Sequence, residues 1–215
     1  MMKYKLIVFD LDGTLADTSL GIINSHKYAN AQMGRPVPDD ETLAGIIGGP
    51  LLKTYQTKFA YSDSDAVEAV RIYRERYAEK GIDEVEIYEE IPYVLSELKA
   101  RGYLLAVATL KAEKFAIPML ESLEVAKYFD IIHGVDDKDT RTKASLIELC
   151  MQELNVVPES TVLVGDSSHD AIGANAAGVD FIAATYGFGF KTDSDASQYS
   201  PVGIIKTPKF LLNIV

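Results

Sequence analysis

Residues 4–9 form a nearly unbroken apolar run that stops at Asp10, the pattern of a strand buried on both faces of a parallel sheet. Later apolar runs over residues 104–109, 129–133, 161–165 and 181–185 are each followed by polar residues or glycine. Between most of them the spacing of apolar positions changes to three and four, which predicts helices over residues 115–123, 144–154 and 171–177. Gly178 supplies the stop signal for the last of these. Strands alternating with helices predict an α/β fold with a doubly wound parallel sheet.

Residues 16–88 break this alternation. No strand-like run occurs there, and Leu20, Ile23, Lys27 and Ala31, like Val67, Val70, Arg74 and Tyr77, follow helical spacing. Arg35-Pro36-Val37-Pro38 and Gly48-Gly49-Pro50 punctuate the stretch. A chain of 215 residues can bury one ordinary core and still carry a smaller unit. The expected organisation is therefore a core from residues 1–15 and 90–215, with an all-helical insertion over residues 16–89.

Charge narrows the choice of partners. A net charge of −11 opposes nucleic acid polymers and anionic membrane surfaces, because such binding depends on clustered Lys and Arg. The apolar runs are too short to span a membrane or to form a signal-peptide core, so the cytoplasm is the expected location. Cys150 is the single cysteine; neither a disulfide nor a cysteine metal cage can form within the chain, and its apolar helical surroundings predict a buried thiol. A small anionic substrate would need a metal ion and local cations to reverse the overall field.

Ligands of open α/β sheets collect at the carboxyl ends of the strands. There this sequence delivers Asp10-Leu11-Asp12-Gly13-Thr14, then Thr109-Leu110-Lys111, then Gly165-Asp166-Ser167-Ser168-His169-Asp170, with Lys143 opening the intervening helix. Asp10 and Asp12 sit two apart, which aims both carboxylates to one side of an extended segment, and Gly13 lets the chain turn away. Two carboxylates in one small space can serve as nucleophile and general acid/base. Asp166 adds a hard oxygen, and with no Cys or His cluster beside it the set suits magnesium better than zinc. Lys143 and the Thr109 hydroxyl would neutralise and orient phosphoryl oxygens.

These motifs, in this order, resemble those of the haloacid dehalogenase-like (HAD) superfamily, with residues 16–88 in the position of its helical cap. The likeness is closest to phosphoglycolate-phosphatase-like and bacterial 5'-nucleotidase-like members, through Ile47-Gly48-Gly49-Pro50-Leu51, Arg141-Thr142-Lys143 and Tyr186-Gly187-Phe188-Gly189. The resemblance implies a Mg2+-dependent phosphatase acting on a small phosphorylated metabolite. It implies Asp10 as nucleophile and Asp12 as acid/base, with the metal held by Asp10, Asp166 and the Asp12 backbone carbonyl, and Asp170 in support. Thr109, Leu110 and Lys143 would meet the substrate, and Lys53, just after the Gly48-Gly49-Pro50 turn, would face an acidic leaving group. Leu110 stands where many members have Asn or Ser, and Lys143 lacks the proline that commonly follows.

Other readings fit less well. A calcium loop would need glycine and glutamate where Leu15 and Gly21 stand. A dehalogenase would need neither Asp12 nor the fourth motif. Sugar-phosphate mutases of this fold carry a histidine where this chain has Ile22, and a catalytically silent binding protein would not need the whole motif set. His169 is expected near the site without ligating metal, His26 and His133 have no evident role, and Tyr186-Gly187-Phe188-Gly189 reads as a glycine-rich turn.

Overall fold

The computed structural model describes residues 3–136 and 140–215. Strand β1 (Leu6–Phe9) is buried along its whole length. It lies in the middle of a six-stranded sheet whose pairings are all parallel. The two-residue alternation of a strand divides it between two cores. Ile7 and Phe9 face one, with Val94, Leu98 and Leu120, while Leu6 and Val8 face the other, with Leu146, Ile147 and Cys150. An uninterrupted apolar run is what a strand covered on both faces requires.

After β1 the chain forms a short strand, β2 (Ala16–Asp17), and enters a helical stretch. This comprises α1 (Ser19–Gln32), α2 (Asp40–Ala44), α3 (Leu51–Thr57) and α4 (Asp63–Arg76), which runs into a π-helical turn at Tyr77–Gly81. It returns through β3 (Glu86–Ile87), antiparallel to β2. That two-residue ribbon departs from the expectation of no strand between residues 16 and 88. Strands of this length contain no full alternation, so periodicity cannot register them.

The residues that carry the helical spacing are not all on the inward faces of these helices. Leu20 is 58% exposed and Val67 59% exposed, whereas Ile22, His26 and Ala29 of α1 and Val70 and Tyr73 of α4 are buried. Polar side chains share the buried stripe because they find partners there. Ser25 Oγ donates to the Gly21 carbonyl at 2.7 Å, Asn30 Nδ2 to the His26 carbonyl at 2.8 Å, and Tyr61 Oη to Asn30 Oδ1 at 3.0 Å. A reading by apolar spacing alone passes over such positions.

The remaining elements complete the expected alternation. They are α5 (Ile91–Ala100), β4 (Leu104–Ala112), α6 (Glu113–Ser122), β5 (Ile131–Val135), α7 (Lys143–Leu154), β6 (Thr161–Gly165), α8 (Ser168–Ala177) and β7 (Asp180–Ala184). The sheet order is β5-β4-β1-β6-β7, extended at the edge by β8 (Gly203–Ile205), which the sequence pattern does not announce. Between β7 and β8 lies a short helix, α9 (Asp193–Ser197). Helix α8 stops at Gly178, whose φ of +70° is the left-handed conformation that glycine adopts at low cost. Cys150 is buried, and burial pushes its thiol pKa up to about 12. Among the described residues no helix is long and apolar enough to cross a membrane.

Candidate active site

β1, β4 and β6 are neighbours in the sheet, so their carboxyl ends bring Asp10, Thr109 and Asp166 together. Lys143 begins α7 behind a capping box, in which the Thr142 hydroxyl accepts from Ser145 N and Ser145 Oγ accepts from Thr142 N. This fixed helix start directs the lysine inward, where it is 5% exposed. Its Nζ donates to Asp10 Oδ1 at 2.7 Å and to the Ala108 carbonyl at 2.9 Å, and lies 2.8 Å from Asp170 Oδ1. Burial alone would lower the Lys143 pKa, but the Asp10 and Asp170 carboxylates outweigh it and the pKa is raised. It therefore remains a cation.

Asp10, Asp166 and Asp170 can each offer an oxygen such that the three atoms lie within 4.8 Å of one another. Asp10 is pushed up to about 6, mainly by burial and against the attraction of Lys143. Asp166 is pushed up to about 8 by burial and by the neighbouring Asp170 and Asp10. Asp170 uses Oδ2 to accept from Ser167 N (3.0 Å) and Ser167 Oγ (2.7 Å) at the start of α8, while its buried Oδ1 has no aligned hydrogen bond despite the nearby ammonium. Three carboxylates crowd around the Lys143 ammonium, which pairs with Asp10 and Asp170, so the cluster keeps an excess of negative charge, and its all-oxygen donor set fits a hard divalent ion. Asp170 thus offers its carboxylate to the cluster directly, although the resemblance gave it only a supporting place.

The Asp12 carboxylate lies outside that cluster. Oδ1 accepts from Thr18 Oγ1 at 2.6 Å and from Lys111 Nζ at 2.7 Å, and Oδ2 lies 3.1 Å from the same ammonium. Lys111 also sits 4.7 Å from the ring centroid of Tyr77, in the π-helical turn of the insertion. Sequence reading gave Lys111 no role; its place directly after Thr109-Leu110 was the available signal.

The turn at Tyr186-Gly187-Phe188-Gly189 has a structural task as well. The backbone N–H groups of Phe188 and Gly189 donate to Asp166 Oδ2 at 2.6 and 3.0 Å. Tyr186 Oη donates to the Thr14 carbonyl at 2.9 Å. A β-carbon on Gly187 would collide with the Gly13 carbonyl and with Asp166, and one on Gly13, whose φ is +81°, would collide with Asp166. These glycines let the two loops close against the third aspartate.

A cavity of about 550 Å3 opens over Asp10, Asp12, Thr109 and Lys143. Leu110 is half-buried in its wall, and Thr109, 1% exposed, accepts from Lys111 N through Oγ1. The insertion supplies the opposite wall, including Gly48 to Leu51 and His26. His26 packs on Tyr55 and Tyr73, and burial lowers its pKa to about 4, so it is neutral at pH 7. His169 lines the cavity, with its pKa lowered by burial first and further by Lys143 and Lys53. Lys53 itself is exposed on α3 and is not part of the wall. His133 lies away from the cavity, between Glu113 and Glu153.

Residues 7–184 match the family described as haloacid dehalogenase-like hydrolase. The chain belongs to that family. A 5'-nucleotidase from Pseudomonas aeruginosa is 36% identical over 198 residues, covering 92% of this chain and 90% of the relative. A phosphoglycolate phosphatase from Shigella dysenteriae is 29% identical over 215 residues, covering 89% and 85%. The solved structure of a haloacid dehalogenase-like hydrolase from Streptococcus pneumoniae superposes with a TM-score of 0.91 at 35% identity, covering 99% of each chain. Within the haloacid dehalogenase-like family the chain is a phosphatase, with the parallel α/β fold that its sequence pattern implied.

Proposed function

We propose that the protein hydrolyses small phosphate monoesters, of the phosphoglycolate or nucleotide kind, through an aspartyl-phosphate on Asp10. The observation that carries this reading is the placement of Asp10 at the end of β1, held by Lys143, beside Asp166 and Asp170 and open to a cavity. In the proposed reaction a carboxylate oxygen of Asp10 attacks phosphorus, the ester P–O bond breaks, and the leaving oxygen takes a proton from Asp12. Water then attacks phosphorus and gives a proton to Asp12. The acyl phosphate bond breaks, releasing orthophosphate and restoring Asp10.

Lys143 and Thr109 hold phosphoryl oxygens in this scheme, and Asp12 turns away from Lys111 before it meets the leaving group. Asp10, Asp166 and the Asp12 backbone carbonyl, with Asp170, would hold Mg2+, which supplies positive charge to the phosphoryl group and offsets the crowding of carboxylates. Residues 1–15 and 90–215 form the catalytic core in this reading, and residues 16–89 the cap that covers it, with the cytoplasm as its setting. Support for an anion site in so acidic a chain comes from the buried Lys143 and Lys111.

The test is magnesium-dependent release of orthophosphate from a panel of monoesters, with a rapid acid quench and mass spectrometry of the peptide carrying Asp10. A phosphoryl adduct on Asp10, absent with activity in Asp10→Asn, is expected. Near-normal turnover by a folded, pure Asp10→Asn protein would defeat the covalent scheme.

A further inference from the structure

The cavity of about 550 Å3 extends well beyond the space a phosphoryl group needs, and apolar side chains line it from both the core and the helical insertion. Leu110, Phe115 and Ile172 come from the sheet side, and Ile22, Ile47 and Leu51 from the helical insertion. Ile172 is 60% exposed although it borders this opening, so the apolar surface continues to the mouth.

The cations in the wall already have partners. Lys111 is paired with Asp12, and Lys143 with Asp10 and Asp170. Arg141 donates to Glu113 and to the Gly134 carbonyl, and Arg74 has an interaction of its own. A carboxylate on the leaving group would have to be desolvated against aliphatic side chains and to compete with the protein's own acids for these cations. That burial is costly. A flat apolar body would gain from the same wall.

Leu110 is the first side chain beyond Thr109 and is half-buried in the cavity wall. With Thr109 holding the phosphoryl group as in the scheme proposed above, Leu110 is placed to meet the leaving group's first atoms. We propose that the cavity selects phosphate monoesters whose leaving group carries a flat apolar ring of nucleoside or aryl size, and that Leu110 is a specificity-determining residue that favours these over small acidic esters. This rests on the phosphatase reading, and it chooses between the substrate kinds which that reading leaves together.

The test compares adenosine 5'-monophosphate, 1-naphthyl phosphate and phosphoglycolate on the wild-type protein and on Leu110→Asn and Leu110→Met. Direct binding of the same esters to Asp10→Asn, with and without the Leu110 changes, is measured by calorimetry. At least one ring ester should exceed phosphoglycolate in kcat/KM by about tenfold or more. Leu110→Asn should lower the ratio of kcat/KM for the ring esters to that for phosphoglycolate by about tenfold, chiefly through KM of the ring esters; Leu110→Met should restore the preference. Preference for 1-naphthyl phosphate alone would assign an aryl ester, and preference for both an aromatic ring in general. Higher kcat/KM for phosphoglycolate, or equal losses on all esters in Leu110→Asn, would overturn the proposal. If no ester is hydrolysed, the phosphatase reading fails, and the binding series still decides the cavity: tighter ring-ester binding that is lost with Leu110→Asn supports it, and equal binding overturns it.

Discussion

At the residue scale the decisive fact is the pairing of acids with buried lysines. Lys143 opposes the burial that raises the Asp10 pKa to about 6. Removing the ammonium leaves Asp10 with burial and the repulsion of Asp170 and Asp12, so its pKa must rise further. Lys143→Met is expected to lower kcat by about 10²–10³-fold and to move the acidic limb of the pH profile of kcat/KM upward. An unmoved limb would separate Lys143 from Asp10. Lys53 is exposed and outside the wall, although its charge is felt by His169 in that wall, so its influence on an anionic ester acts through its field. Lys53→Ala should raise KM about twofold for every ester, with the difference vanishing at high salt. A loss confined to phosphoglycolate, persisting in salt, would instead give Lys53 a direct contact with substrate.

At the element scale, a helix start and a turn set the site. Lys143 points inward because the capping box fixes the first turn of α7, and Asp166 is held because the turn before α9 closes over it. Thr142 and Ser145 could be seen as a capping pair in sequence; that Gly187 must approach Gly13 could not, since those residues are far apart along the chain. Gly187→Ala is expected to cost about 1–3 kcal/mol in stability through overpacking. It should also weaken Mg2+ binding, because the donors to Asp166 move with the turn. Chemical denaturation and metal titration of this variant check the two effects separately, and unchanged values of both would show that the loops can part without consequence.

At the scale of the whole molecule, the acidic cluster links folding to pH and metal. Asp10 and Asp166 have raised pKa values in the folded state, so in metal-free protein they favour folding at low pH, where the unfolded chain is also protonated. That contribution is lost as pH rises through about 6 and then about 8. Mg2+ competes with the same protons and should therefore stabilise more at pH 8 than at pH 5. At a concentration of roughly 100 times Kd the gain is about 2.7 kcal/mol, or a rise in Tm of about 5–10 °C for a chain of this size. Thermal melts at the two pH values, repeated with Asp166→Ala, test this. An equal rise at both, or one that survives in Asp166→Ala, would remove the cluster as the metal's site.

The sequence by itself determined β1, β4, β5, β6 and β7 and the α/β alternation, though not β2, β3 or β8, because burial on two faces demands an unbroken apolar run and a helix demands its own spacing. It also marked Asp10, Asp12, Thr109, Lys143 and Asp166 as candidates, since strand ends are where a parallel sheet collects chemistry. Tertiary structure alone decided that Asp170 joins the cluster, that Asp12 is held by Lys111 and Thr18, that Lys53 lies outside the wall, and that His26 lines the cavity. These facts depend on distances between residues remote in the chain, and on polar groups finding partners across elements. Neither leaves a period or a local motif for sequence reading to find.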